Sequence, residues 1–120
     1  MTPALFLPAA TAEPRGLLIY LHGNGEDLGC IAPWARAVGD CLDVHVLVPE
    51  YEGYGIHPVR RANESGCNRA AAAAYHYATE VLGVRHFCIA APFWGILPLF
   101  RQTDQPYIFL CFGHCVVGCI

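Results

Sequence analysis

Apolar and polar positions along this chain fall into two alternating periods, one suited to strands and one to helices. Residues 4–7 make a short apolar run, followed by a polar turn around Glu13-Pro14-Arg15-Gly16. Residues 17–21 are continuously apolar, which predicts a strand covered on both faces. From Asp27 to Val38 the apolar residues Leu28, Ile31, Trp34, Ala35 and Val38 recur at helical spacing, with Gly39 as the stop and Pro33 as an internal break. Val44, Val46 and Val48, with Leu47 between them, predict the next strand, closed by Pro49 and the turn-rich Glu50-Tyr51-Glu52-Gly53-Tyr54-Gly55. The alanine run in 70–82 predicts a second helix, ended by Gly83, and 87–90 opens a further buried strand. Strands and helices in this order predict two βαβ units, hence an α/β fold with a mainly parallel sheet and helices on both faces.

Composition narrows the classes of function. The chain has 120 residues, enough for one domain or part of one, and a domain of this size buries roughly 65% of its unfolded surface. Charged residues make up 14%, there is no lysine, and the net charge of −3 leaves seven scattered arginines with no basic stripe. A nucleic-acid partner is therefore not expected. Mean hydropathy is +0.37, yet no stretch reaches the ~20 apolar residues of a membrane-spanning helix; 87–100 and 107–120 come nearest. The N-terminus lacks a basic region and carries prolines, unlike a signal peptide. Seven cysteines in no secreted spacing predict reduced, mostly buried thiols in a cytoplasmic protein.

The candidate chemistry lies in L-H-G-N-G-E-D-L-G, residues 21–29, a glycine corner between a strand and a helix. A dinucleotide site would need a third glycine where Leu28 stands. Glu26 and Asp27 would also repel a pyrophosphate at the helix N-terminus. An oxyanion site fits the same corner, because it needs backbone N–H groups aimed at a charge that develops during acyl transfer. A plain turn, with glycines serving geometry alone, fits the spacing equally.

The segments L-H-G-N-G-E-D-L-G and P-E-Y-E-G-Y-G, separated by a helix and a strand, resemble the α/β-hydrolase superfamily, closest to its H-G-N branch of abhydrolase-domain serine esterases and thioesterases. The resemblance covers about residues 4–90. It implies a partial α/β-hydrolase fold whose C-terminal part is missing or replaced by the apolar, cysteine-rich segment 91–120. It also implies an oxyanion-hole role for Asn24 with Gly25, and loop-shaping roles for His22, Gly23, Glu50, Gly53 and Gly55. Glu50 stands where the family has aspartate, and His22 matches a loop histidine, not the catalytic base. The family's substrates are acyl esters or thioesters, and no cofactor is implied.

The same resemblance requires a nucleophile elbow, G-x-S-x-G, after the strand that begins near Phe87 and lies beside the first buried strand. The sequence there is Ala91-Pro92-Phe93-Trp94-Gly95, with Phe93 about where the serine belongs. The only serine in the chain is Ser65, ahead of the alanine-rich helix, and the late His114 follows the elbow too closely to be the base. No catalytic residue is assigned. Cys111, His114, Cys115 and Cys119 invite a metal reading, but their β-branched and aromatic neighbours favour a strand, and no metal site is assigned. Three readings of 91–120 stand. One is a frame change or truncation near codons 86–91. Another is a genuine pseudohydrolase that binds an acyl chain or a partner. The last is an interaction segment touching a membrane surface. Bare sheet edges in a partial fold also predict self-association.

Overall fold

In the computed structural model of the chain, residues 1–23, 25–91, 108–112 and 115–119 are described, with Ala91 and the last two segments described by backbone alone. The order of elements is β1 (Ala4–Leu7), β2 (Leu17–Tyr20), α1 (Leu28–Leu42), β3 (His45–Pro49), α2 (Glu64–His76), one π-helical turn (Tyr77–Val81), β4 (Phe87–Ala91), β5 (Ile108–Phe112) and β6 (Cys115–Cys119). They build one sheet in the order β1-β3-β2-β4-β6-β5. Strand β2 sits between β3 and β4 and is parallel to both, while β1 pairs antiparallel with β3. The fold class is α/β, as expected, with a mixed sheet whose core is parallel.

The apolar run of β2 is explained by its two covered faces. Leu17, Ile19 and Leu21 pack with Leu47, Ile89 and the alanines of α2. Leu18 and Tyr20 point the other way, into a cluster with Val46, Val48 and the α1 residues Ile31 and Ala35. The helices thus cover opposite faces, and every side chain of this four-residue strand is buried. The alanine run of α2 has a packing purpose: Ala70, Ala71 and Ala74, with Ala78 of the π-helical turn, are small enough to bring that helix close to the sheet.

Two helix boundaries differ from expectation. Helix α1 runs through Gly39 and ends at Asp43, whose backbone is left-handed at φ 55°. Gly39 is an approach residue, not a stop: a Cβ there would lie 2.9 Å from the Val46 side chain and 3.2 Å from the Val44 carbonyl. Helix α2 starts six residues before the alanine run, because the Asn63 side chain accepts the Gly66 N–H at 2.8 Å and caps it. Ser65 is therefore an exposed first-turn residue of α2, not part of the loop before it.

The cysteine expectation also changes. Cys30 and Cys41 lie on the solvent side of α1 and are exposed, Cys67 is half-buried, and Cys88 is disulfide-bonded. Strand β6 pairs antiparallel with β4 and β5 pairs with β6, so strands from the cysteine-rich segment lie along the β4 edge. Phe93 and His114 lie outside the described residues, and no helix among those described is long and apolar enough to cross a membrane.

Candidate functional site

The β2 and β3 strands are parallel, so the segments that follow them leave the sheet at the same end. This places His22 and Gly23, after β2, against Glu50 and Tyr51, after β3. His22 and Glu50 are both buried, with relative exposures of 0% and 1%, and the His22 Nε2 lies 2.8 Å from Glu50 Oε1. The other ring nitrogen, Nδ1, faces the Gly23 carbonyl at 3.2 Å. Both ring nitrogens of His22 are engaged inside the protein, so neither is presented to a substrate as a general base.

Glu50 has a second contact. Its Oε2 accepts the Leu28 N–H, at the first residue of α1, at 3.3 Å. One carboxylate thus joins the end of β3, the corner after β2 and the start of α1. Gly55 makes room for it: a Cβ at that position would run into Glu50 Oε2, and the backbone there has φ +40°. Gly53 also has a positive φ, +88°, and lies so close to the Ala62 backbone that no side chain fits.

The tyrosines brace the same corner. The Tyr51 hydroxyl donates to the His22 carbonyl at 2.9 Å, and its ring centroid is 4.3 Å from that of His22. Tyr54 meets both rings edge-on at 5.6 Å. Burial pushes the Tyr51 hydroxyl far above the ordinary tyrosine range, so it remains a protonated donor at every physiological pH.

Carboxylates of the chain already occupy backbone donors around this corner. Glu26 Oε2 accepts the Gly23 N–H at 2.7 Å, while the Glu26 N–H donates to the Gly23 carbonyl at 3.2 Å, a reciprocal arrangement like a capping box. Asp27 is the N-cap of α1 and accepts the Cys30 N–H at 2.9 Å. With Glu50 on Leu28, three acids hold three N–H groups where a nucleotide phosphate would have to bind. Gly25 is exposed, at φ +80°, with open space where its Cβ would be. Asn24, to which the resemblance gives an oxyanion-hole role, lies outside the described residues.

The Asp27 cap gives a pH dependence of known sign. The Cys30 N–H holds the Asp27 carboxyl below its ordinary value of 3.8. A depressed folded value means stability that is present above the unfolded value and lost as pH falls through the folded one. Stability should therefore drop below about pH 4 in the native chain and drop less steeply in Asp27→Asn, which caps without titrating. Urea midpoints measured between neutral and acidic pH would check this; parallel curves for the two proteins would refute it.

Two contacts escaped sequence reasoning. The i, i+3 spacing of Gly23 and Glu26 was a legible signal for their reciprocal bond. Nothing in the sequence signalled the Tyr51 hydrogen bond, which spans 29 positions.

Over 60 residues the chain is 30% identical to a protein named as an alpha/beta hydrolase, L404 of Acanthamoeba polyphaga mimivirus. The likeness is to α/β hydrolases. That alignment takes in 50% of this chain but 23% of the viral protein. A second likeness, 35% over 51 residues, is to the protein bem46 of Schizosaccharomyces pombe, covering 42% of this chain and 17% of that protein. The matched region is thus about a quarter or less of each relative's length. No family model and no solved structure matches the chain.

Proposed function

We propose that the chain carries the oxyanion-loop half of an ester- or thioester-cleaving serine hydrolase of the H-G-N branch, and that as written it does not turn over. The observation that carries this reading is the buried His22–Glu50 contact with the Tyr51 hydroxyl on the His22 carbonyl. Five contacts made by four side chains fix the entrance to a glycine corner, more bracing than a plain turn requires. Backbone donors held rigidly are what an oxyanion site needs, since they stabilise developing charge without reorganising.

The side chains the sequence supplies support the proposed lack of turnover. Ser65 is exposed on the first turn of α2. Burial and the nearby Glu52 and Glu64 carboxylates raise the Cys67 thiol above its ordinary value, the reverse of an activated nucleophile. Phe93 occupies the position at which the resemblance requires serine. Loss of a triad nucleophile costs roughly 10⁶-fold in turnover.

The purified chain should give no labelling by a fluorophosphonate probe and no hydrolysis of p-nitrophenyl or thioester acyl substrates above buffer. Covalent labelling of any residue would overturn the reading. Sequencing the transcript across codons 80–120 separates its two origins. A G-x-S-x-G in another frame, followed by acid and histidine motifs, assigns a serine hydrolase to the intact gene; the frame as written leaves a pseudohydrolase or a non-functional fragment.

One observation favours acyl binding without cleavage. A cavity of about 490 Å³ opens between β1, β3 and α2, lined mainly by apolar residues that include Phe6, Leu47, Ala73, Ala74 and Tyr77. Ligand cavities span about 300–1,000 Å³. Saturable binding of a fluorescent fatty acid, weakened by Ala73→Glu on its wall, is the expected result.

A further inference from the structure

The segment after Glu50 closes on itself as a compact loop. The Gly53 N–H donates to the Val59 carbonyl at 2.8 Å, and the Gly53 backbone lies against Ala62. His57 fills the inside: it is buried to 4% exposure, its N–H donates to the Tyr54 carbonyl, and its Nδ1 accepts the Val59 N–H at 3.1 Å. These features are those of an Ω-loop, packed by its own side chains and held in one shape.

The outside of that loop is apolar and basic. Ile56 is 69% exposed and Val59 44%, with Pro58 exposed between them, and Arg60 and Arg61 follow directly. Arg60 uses one N–H on the Gly55 carbonyl, which leaves most of its guanidinium donors facing outward. Of the acids flanking the loop, Glu52 is held by a two-point pair with Arg69 at 2.7 and 2.9 Å, and Glu64 lies three residues after Arg61 at the start of α2. Exposed aliphatic side chains beside two arginines that make no ion pair among the described residues match the interface of an anionic bilayer. The hydrocarbon groups enter the headgroup boundary, and the guanidinium groups meet lipid phosphate and carboxylate. A single exposed aliphatic residue needs no explanation, but two on a rigid loop with two adjacent cations form a directional surface.

We infer that the 53–62 loop is a docking surface for anionic lipid membranes, with Ile56 and Val59 inserting and Arg60 and Arg61 binding headgroups. The surface lies on the segment that leaves β3 at the end where the glycine corner leaves β2, so a docked chain would hold that corner near the lipid. The inference does not depend on turnover, and a protein that hydrolyses nothing can dock in this way.

The test is co-sedimentation of the full chain with vesicles of phosphatidylcholine alone and of phosphatidylcholine mixed with phosphatidylserine. Binding is expected to the mixed vesicles, to weaken with added salt as charges are screened, and to fall about tenfold in Ile56→Asp/Val59→Asp and in Arg60→Glu/Arg61→Glu. Circular dichroism of each variant should match the parent, since all four side chains are exposed. Unchanged binding in both variants would overturn the inference and assign binding to another part of the chain. Failure of the parent to bind either vesicle would also overturn it and leave the loop as a contact for protein.

Discussion

Glu50→Ala should unfold at markedly lower urea than the parent chain, a loss of about 3–5 kcal/mol, because the change removes one partner of a buried, hydrogen-bonded pair. The carboxylate accepts from two directions, from the His22 ring at 2.8 Å and from the Leu28 N–H at 3.3 Å, and it is only 1% exposed. Alanine supplies neither acceptor, and water cannot reach the orphaned groups without opening the corner. A domain is commonly stable by only about 5–15 kcal/mol, so this one side chain holds a large share. Glu50→Gln keeps the shape but replaces one acceptor oxygen with a donor, and should cost about half as much. In His22→Ala/Glu50→Ala the loss should be smaller than the sum of the single losses, since each single change strands the other group. Additive losses would show that the two side chains act independently and that the bracing argument is wrong.

Gly55→Ala should cost about 3 kcal/mol, and Gly25→Ala only about 1 kcal/mol, although both glycines have positive φ. The left-handed backbone penalty, about 1–2 kcal/mol, applies at each site. What separates them is space. A Cβ on Gly25 meets nothing within 4 Å, whereas a Cβ on Gly55 runs into Glu50 Oε2 and lies 3.1 Å from Asp27 Cβ. The substitution therefore displaces the carboxylate that joins three elements, and part of the Glu50 cost is added to the strain. Introduced into Glu50→Ala, the Gly55→Ala change should lose most of its excess cost. Equal midpoints for Gly25→Ala and Gly55→Ala would remove the steric argument and leave backbone strain alone.

Much of the sheet was legible because its signals are local. The all-apolar β2 announced two covered faces, and the alternating β3 valines lie in one cluster with Leu18 of β2. Boundaries were less legible where a tertiary contact outweighed a local rule. Gly39 reads as a stop, yet it sits within α1 because β3 passes too close for a side chain. The start of α2 was obscured because Glu64-Ser65-Gly66 has poor helix propensity, which the Asn63 cap offsets. At the corner, the sequence carried His22, Gly23, Glu50, Gly53 and Gly55 as a motif. It did not carry their pairing, since the 28-position separation of His22 and Glu50 is closed only when β3 docks on β2. The outward display of Ile56 and Val59 was hidden for the same reason: loop hydrophobicity can be read from a sequence, but which side chains turn inward cannot.

The triple attachment of Glu50 also decides what could be transplanted. H-G-N-G looks like a portable tetrapeptide, but its entrance is held by the residue that follows the next strand, a hydroxyl one position later and a helix that begins six residues after His22. Grafted alone onto another strand–helix junction, it would arrive without its supports. The smallest piece that brings them along runs from the start of β2 to Gly55, about a third of the chain. Anyone transplanting this glycine corner would have to move a βαβ unit, not a loop.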